Sequence, residues 1–398
     1  MTPKSVLALS LMKAVAACLI LARLLVADHA VAASEVWNRA WTASLWQGNE
    51  GQVLKTENQT IRMQIRIGSG GKSVRLRLAN DFGQAAVAIG AVTVVNQAGR
   101  RVQAVFAGEK AASIPAGGIL VSDPVKIPVE AFELLTISIY LPGQSVVDDL
   151  HVDRANRLEV SEQGDFTHHS EWLPQSTSEY RPLLAGIDVL GSRRPIVVAF
   201  GDSITDAPWC SHTDQKPCRW SEVLGRRLAL TRRPHIVVNQ GISGNRVLTK
   251  AGGHSALARF DRDVLSIPGV THLVLLIGIN DIASFQQTGI TSRDIVEGLR
   301  QLAFRAREHD IKVTALTLLP FKGSKFFSQD TDKLRQDVNA WIVSSQVFDY
   351  VVRIDRDMAD PVDHGRLKDM LQSGDGLHPS ELGQRVIGEA IPLGIFNQ

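Results

Sequence analysis

Four short polar clusters in the second half of the chain contain the residue types that acyl transfer requires. They are G-D-S at 201–203, G-I-S-G-N at 241–245, G-I-N-D at 278–281 and D-G-L-H at 375–378. A serine hydroxyl becomes a good nucleophile when a histidine accepts its proton, and a carboxylate orients that histidine and stabilises its protonated form. Ser203 is therefore a candidate nucleophile, His378 a candidate base and Asp375 its candidate orienting acid.

The oxyanion that develops on an acyl substrate needs fixed hydrogen-bond donors, and the same clusters supply candidates. These are the backbone N–H groups of Ser203 and Gly244 and the side-chain amide of Asn280. Gly244 suits this role because a residue without Cβ lets its backbone approach the substrate closely. We expect these donors to lie beside the nucleophile.

Short apolar runs place the clusters in space. Five strand-like runs alternate with helix-like segments after residue 195, at Ile196–Phe200, His235–Asn239, Thr271–Ile277, Ile311–Leu318 and Tyr350–Ile354. This alternation predicts a parallel sheet with helices on both sides, and the ends of parallel strands face one side of such a sheet. A lone serine after a strand is equally well explained as a loop residue. The expected convergence of four clusters favours a site.

Residues 34–190 have a different pattern. Between residues 60 and 141 apolar residues alternate with polar ones, as at Ile61, Met63 and Ile65, and glycine-rich turn signals recur between the runs. Alternation with one polar face predicts antiparallel strands over a core. We therefore expect an all-β sandwich or jelly-roll domain at 34–190, a linker at Gly191–Pro195, and the α/β domain at 191–398.

Aromatic and histidine residues of this front region allow two interpretations. Trp37, Trp41 and Trp46 could form a platform for sugar rings, although packing against the sandwich is favoured because large aromatic side chains bury most of their area. The histidines His151, His168 and His169 lie in polar, loop-like sequence. We expect them to be solvated rather than to bind a metal.

The first 33 residues resemble a secretory signal peptide, with Lys4 and Lys13 near the start, an apolar middle and a small-residue end. An uncleaved membrane anchor and a lipoprotein signal at Cys18 are lower-ranked alternatives. Without this segment the chain carries equal numbers of basic and acidic residues. This balance argues against nucleic acid or an anionic membrane as the main partner, because both require a basic excess. We expect a periplasmic or extracellular protein with no stable membrane insertion after cleavage.

Two cysteines, Cys210 and Cys218, remain in that mature chain. In an oxidising compartment they are expected to form a disulfide that fixes the polar loop between them. A metal site with His212 is the alternative, but this spacing is not a recognised zinc pattern. The loop and Trp209 either form one wall of the substrate pocket or are a passive surface insertion.

The four clusters, in this order, resemble the signature blocks of the SGNH (GDSL-type) hydrolase superfamily of esterases and lipases, over residues 195–391. The resemblance implies a three-layer, flavodoxin-like α/β fold with strand order 2-1-3-4-5 and no metal cofactor. It implies that Ser203 is nucleophile and oxyanion donor, Gly244 and Asn280 are the other donors, His378 is the base and Asp375 orients it. Asp202 and Asp281 then have structural roles.

The expected function is that of an exported serine esterase that removes O-acyl groups, with acetyl favoured, from a carbohydrate. Its partner is then a small ester or an acylated glycan. Hydrolysis of short-chain lipid or aryl esters is the alternative. A non-catalytic carbohydrate-binding module is a weaker one, because no catalytic position is missing.

Overall fold

The computed structural model of the protein describes residues 35–211 and 216–397. The predicted signal peptide, with its alternatives at residues 1–33, lies outside the described residues. In the described part of the chain, no helix is both long enough and apolar enough to cross a membrane.

Residues 35–192 form an all-β region. Its strands are β1 (Glu35–Thr42), β2 (Trp46–Gln47), β3 (Leu54–Arg66), β4 (Val74–Asn80), β5 (Val87–Ile89), β6 (Ala91–Val95), β7 (Arg101–Ala104), β8 (Ala112–Ile114), β9 (Gly118–Val121), β10 (Leu134–Val147), β11 (Asp149–Val152), β12 (Leu158–Gln163), β13 (Ser176–Ser178), β14 (Tyr180–Pro182) and β15 (Leu184–Ser192). The two large sheets have the orders β1-β15-β4-β9 and β13-β12-β3-β10-β6-β7, and two small sheets have the orders β14-β11-β2 and β5-β8.

The predicted alternation is confirmed in the core of this region. Ile61 and Ile65 on β3 are fully buried, and they share one apolar cluster with Leu76 on β4 of the other large sheet. Ile61 pairs with Ile139 across the antiparallel β3 and β10 strands. Since the alternate residues of both large sheets enter the same core, the region is a β-sandwich.

The C-terminal region contains a five-stranded parallel sheet flanked by helices. The strands are β16 (Ile196–Gly201), β17 (Ile236–Gly241), β18 (Val270–Leu276), β19 (Lys312–Leu316) and β20 (Tyr350–Val352), in the order β17-β16-β18-β19-β20. This is the expected order 2-1-3-4-5. The α-helices are α1 (Ser203–Asp206), α2 (Trp220–Ala229), α3 (Ala256–Phe260), α4 (Ile279–Ala283), α5 (Phe285–Thr288), α6 (Ser292–Arg307), α7 (Gln329–Ser344), α8 (Ile354–Met358) and α9 (Glu381–Ala390).

Helix α6 illustrates why these segments are helical. Thr291 is its N-cap, and the Thr291 and Asp294 side chains cap each other's backbone N–H groups. The apolar residues Ile295, Leu299 and Leu302 are spaced at three or four positions and are buried in the core of the domain. The cap and this spacing together account for the helix, which is one of the helix-like segments expected between the strands.

The β region packs against β17, which is an edge strand of the parallel sheet. Thr42 at the end of β1 donates a hydrogen bond to the Asn239 carbonyl at 2.9 Å. Beyond it, Ser44 donates to Gln240 Oε1 at 2.6 Å. Only residues 193–195 separate the last strand of one region from the first strand of the other. The two regions are thus joined by polar contacts next to a strand end as well as by the chain itself.

The three tryptophans do not form a common platform. Trp37 lies under the guanidinium of Arg75, and Trp41 lies under that of Arg181. Trp46 instead contacts the ring of Tyr180 edge to face, with centroids 6.1 Å apart. Trp37 and Trp41 therefore pack against arginine side chains of the β region, whereas Trp46 packs against an aromatic ring.

Candidate active site

Ser203 is the first residue of α1, two positions after β16 ends. The buried Asp202 is the N-cap, and its carboxylate accepts a hydrogen bond from the Ile204 N–H at 3.0 Å. The first N–H groups of a helix have no partner within the helix. The turn from strand to helix therefore presents the Ser203 hydroxyl and its backbone N–H at the carboxyl edge of the sheet.

His378 and Asp375 reach Ser203 from the loop that precedes α9. Ser203 Oγ lies 2.9 Å from His378 Nε2, and His378 Nδ1 lies 2.6 Å from Asp375 Oδ2. Nδ1 faces a carboxylate, so it carries the proton, and Nε2 is left free to accept the serine proton. The chain of hydrogen bonds has the arrangement that general-base activation of a serine requires.

Asp375 is held in its ionised form. Partial burial alone would raise the pKa of this carboxyl, but hydrogen bonds from the His378 backbone and ring and from the Leu377 N–H lower the pKa to about 2. The backbone bonds both go to Oδ1, at 2.8 and 2.9 Å, and leave Oδ2 for the imidazole. The short loop thus fixes the carboxylate and the histidine together.

The predicted oxyanion donors lie in the same cleft. Gly244, at φ +78°, is in the left-handed region that favours glycine. Asn280 lies in the first turn of α4, and its amide donates to the Asn245 carbonyl at 3.1 Å, which fixes its direction. Ser203, Gly244, Asn280, Asp375 and His378 all line one open cleft of about 800 Å³. The structure therefore brings together every residue predicted for the site.

Asp281, beside Asn280, supports the loop that carries Gly244. Its carboxylate accepts hydrogen bonds from the Val247 N–H at 2.8 Å and the Leu248 N–H at 3.2 Å. Burial raises the pKa of Asp281 to about 6, although these hydrogen bonds oppose the shift. Burial likewise raises the pKa of Asp202 to about 7. Both carboxyls bind backbone at the edge of the site and leave Asp375 as the carboxylate that contacts the histidine.

Arg259 of α3 is a structural residue of the site that the sequence did not reveal. The guanidinium is fully buried over the Phe200 ring and donates to the Gly201 and Gln240 carbonyls, each within 2.9 Å. It also donates to Asn245 Oδ1 and to Asp263. Burial lowers the pKa of Arg259, and Asp263 opposes this shift. One cation thus ties the ends of β16 and β17 to the loop that carries Gly244.

The expectation that His151 is solvated is wrong. His151 is buried on β11, with Nδ1 3.0 Å from the Ser44 carbonyl and Nε2 3.1 Å from Asp206 Oδ1. The other Asp206 oxygen accepts hydrogen bonds from both the N–H and the hydroxyl of Ser243. His168 and His169, in contrast, are exposed as expected. The Asp206 carboxylate therefore connects His151 of the β region to Ser243, the residue before Gly244.

Cys210 and Cys218 form a disulfide, as predicted. Because the sulfurs bond to each other, the zinc alternative loses both thiolates, and its third residue, His212, lies outside the described residues. Trp209, adjacent to the bridge, contacts the His378 ring edge to face at 5.1 Å between centroids and lines the same cleft. The bridge thus anchors one wall of the site, which favours that interpretation over a passive insertion.

A parallel sheet of this order, with a serine, a histidine and two amide donors at its carboxyl edge, defines the class of SGNH hydrolases. Residues 199–386 match the model of the GDSL-like lipase/acylhydrolase family, so the C-terminal domain of the chain is similar to that family.

Solved structures of similar fold include a GDSL-like lipase from Bacteroides thetaiotaomicron, with 19% identity, TM-score 0.39, and coverage of 51% of this chain and 88% of that one. A catalytic mutant of an acetylxylan esterase from Geobacillus stearothermophilus has 18% identity and TM-score 0.38, and the match covers 49% of this chain and 91% of that one. Comparison with curated proteins gives no match.

Proposed function

We propose that the protein is a serine esterase that removes short O-acyl groups, acetyl above all, from a carbohydrate outside the cytoplasm. The observation that carries the proposal is the pair of hydrogen bonds that joins Ser203 to His378 and His378 to Asp375, beside two oxyanion donors in an open cleft. The match of residues 199–386 to an acylhydrolase family model supports the same reaction class.

The reaction proceeds through an acyl-enzyme. Ser203 Oγ attacks the ester carbonyl carbon while His378 Nε2 accepts the hydroxyl proton. The backbone N–H groups of Ser203 and Gly244 and the side-chain amide of Asn280 stabilise the oxyanion. Asp375 stabilises the imidazolium. His378 then returns the proton to the departing alcohol oxygen. Water then attacks the carbonyl carbon of the acyl-serine while His378 accepts a proton from the water. His378 returns this proton to Ser203 Oγ as the carboxylic acid is released.

The lining of the cleft favours a short acyl group. Its apolar side chains are Pro208, Trp209, Phe326 and Leu377, and the remaining wall is mostly polar. A long acyl chain would need an extended apolar channel to remove its methylene groups from water, at about 0.8 kcal/mol for each. An acetyl group needs only a small apolar contact, which Trp209 and Leu377 offer beside Ser203.

The proposal of export rests on the sequence of residues 1–33, which has the charge and hydropathy pattern of a signal peptide. A disulfide between Cys210 and Cys218 supports an oxidising compartment. Hydrolysis of aryl or short-chain lipid esters by the same residues is the second candidate, because the open cleft also admits small esters without a sugar.

The test is a panel of p-nitrophenyl esters of increasing acyl length together with acetylated oligosaccharides, scored by the acid released. We expect the highest kcat/KM for acetyl esters. The Ser203→Ala variant should lose at least about 10⁴-fold in kcat while it remains folded. Ser113→Ala, which removes an exposed hydroxyl on β8, is the matched control. Retained turnover in Ser203→Ala would remove Ser203 from its role, and the absence of any esterase activity in the wild type would leave a binding function.

A further inference from the structure

The catalytic cleft continues into a second cleft, of about 540 Å³, between the β region and the hydrolase domain. Arg154 and Ser243 line both clefts, so the two form one continuous groove. We call the second part the distal cleft. A substrate whose ester lies at Ser203 and that is longer than one sugar unit would therefore contact the β region.

One wall of the distal cleft is aromatic and belongs to the β region. Trp46 is half-buried and contacts Tyr180 edge to face, while the Tyr180 hydroxyl accepts a hydrogen bond from Gln52 Nε2 at 3.2 Å. An indole ring that is held in place and bordered by amide groups offers both the apolar surface and the hydrogen bonds that a sugar ring needs. Unlike Trp37 and Trp41, Trp46 does not pack against an arginine side chain of the β region.

The opposite wall is the segment 250–253 of the hydrolase domain, and its glycines fix the width of the cleft. A Cβ on Gly253 would lie 2.9 Å from Cβ of Trp46, and a Cβ on Gly252 would lie 2.2 Å from the Ser243 carbonyl oxygen. Both glycines have φ values in the left-handed range. The segment therefore packs closely against both the aromatic wall and the loop next to Gly244, and it joins the distal cleft to the catalytic cleft.

The charges along the groove are mostly positive. Arg154, Lys250 and Lys325 line it, and Asp375, which binds His378, is the one carboxylate among its described lining residues. Arg154 has an exposed ion pair with Glu179 at 3.5 Å, whereas neither lysine has an ion pair among the described residues. Because the whole chain carries nearly balanced charge, this cluster is a local feature of the groove.

We propose that the groove binds an oligosaccharide that carries carboxylate groups, with the acylated unit at Ser203 and the adjoining acidic sugar between Trp46 and Lys250. The inference rests on the proposed esterase function for the position of the acyl group. It adds a substrate class, the acylated acidic glycan, and a binding site to which the β region contributes.

The probes are O-acetylated oligogalacturonides and O-acetylated xylo-oligosaccharides of equal length, which differ in charge. Each kcat/KM is divided by the value of the same variant on p-nitrophenyl acetate, so that general damage to the catalytic centre cancels. We expect the wild type to prefer the acidic substrate by about fivefold or more, as a few exposed ion pairs provide. This preference should disappear at about 1 M NaCl, where exposed charges are screened.

Two variants separate the charge from the ring. Lys250→Ala should lower the normalised kcat/KM for the acidic substrate by about threefold to fivefold through KM and leave the neutral substrate unchanged. Trp46→Ala should lower the value for both by about fivefold or more, because both sugars stack on the indole. Lys126→Ala, which removes an exposed lysine outside the groove, is the matched control and should change neither value.

The inference is overturned if the normalised kcat/KM values for the two substrates are equal at low salt, or if Lys250→Ala and Trp46→Ala have no effect. Hydrolysis of p-nitrophenyl acetate by the wild type would still support the proposed esterase function. If the wild type hydrolyses no ester, the proposed function fails instead. Calorimetric titration with unacetylated oligogalacturonate then tests the groove directly: binding that weakens in Lys250→Ala supports it, and no binding refutes it.

Discussion

His151 Nε2 lies 3.1 Å from Asp206 Oδ1, so a buried imidazole of the β region contacts a buried carboxylate of the hydrolase domain. The Nδ1 atom of the same ring faces the Ser44 carbonyl oxygen, which only accepts. Both nitrogens of the His151 ring therefore face oxygen atoms, one on each side of the contact between the two regions. Asp206 is thereby directed at Ser243, the residue before the predicted oxyanion donor Gly244.

We expect His151→Ala to lower kcat on p-nitrophenyl acetate by about tenfold to a hundredfold with a smaller change in KM. The physical reason is that Asp206 would lose one of its fixed partners and Gly244 would move, and displacements of about 1 Å can cost a hundredfold in rate. His151→Gln keeps N–H donors at this position and should recover part of kcat. His168→Ala, at an exposed histidine of the same region, is the control. A lower melting temperature with unchanged kcat would show a purely structural role.

Asn280→Ala should reduce kcat by about 10² to 10³ and raise KM much less, because an oxyanion donor acts mainly on the transition state. Steady-state kinetics on p-nitrophenyl acetate measure both constants. Gln301→Ala removes an exposed amide on α6 and should leave them unchanged. A rise in KM at constant kcat would contradict the assignment of Asn280.

The disulfide should contribute to both stability and catalysis. Replacing Cys210 and Cys218 together by serine should lower the free energy of unfolding by about 2 kcal/mol, the value typical for a short loop. It should also lower kcat/KM, because Trp209 would no longer be held against His378. Thiol titration of the denatured protein without residues 1–33, which contain Cys18, should detect two thiols only after reduction. Thiols titrating before reduction would exclude the bridge.

The buried Asp202 should make the protein less stable as the pH rises. Burial raises its pKa to about 7, whereas an aspartate in the unfolded chain titrates near 4. Between about pH 4 and pH 7 the unfolded chain therefore releases a proton that the folded protein retains, and the free energy of unfolding falls.

Asp202→Asn keeps the N-cap acceptor but cannot ionise, so its free energy of unfolding should decline less between about pH 5 and pH 7. Asp281, whose pKa is also raised by burial, should leave part of the decline in place. Urea denaturation at several pH values measures the slope. The exposed Asp330→Asn variant serves as control, and identical slopes for Asp202→Asn and the wild type would contradict the prediction.

The sequence predicted the parts of the fold and site that depend on local pattern. The buried run before Ser203 and the spacing on α6 report the period of strands and helices, and parallel strands bring their ends to one edge. Ser203, Gly244, Asn280, Asp375 and His378 were found in this way.

The sequence pattern did not identify Arg259 and His151, which support the site through contacts between the two regions. Arg259 has the sequence context of an ordinary helix, and its five acceptors lie on four segments of the chain. His151 alternates with apolar neighbours on a short strand, and its burial depends on the packing of β11 against α1. Such contacts are set by tertiary structure, which the pattern of one segment does not encode.

Two contacts between the regions affect what would happen if the domains were exchanged. Ser44 accepts a hydrogen bond from Arg259, and His151 contacts Asp206. Recombination at residues 193–195 would transfer Ser203, His378 and Asp375 intact to a new partner. It would also remove one hydrogen-bond partner from the buried Arg259 and one from the buried Asp206, at a cost of about 1–3 kcal/mol for each lost partner. We therefore expect a hydrolase domain separated from the β region to be less stable than the same domain in the full chain.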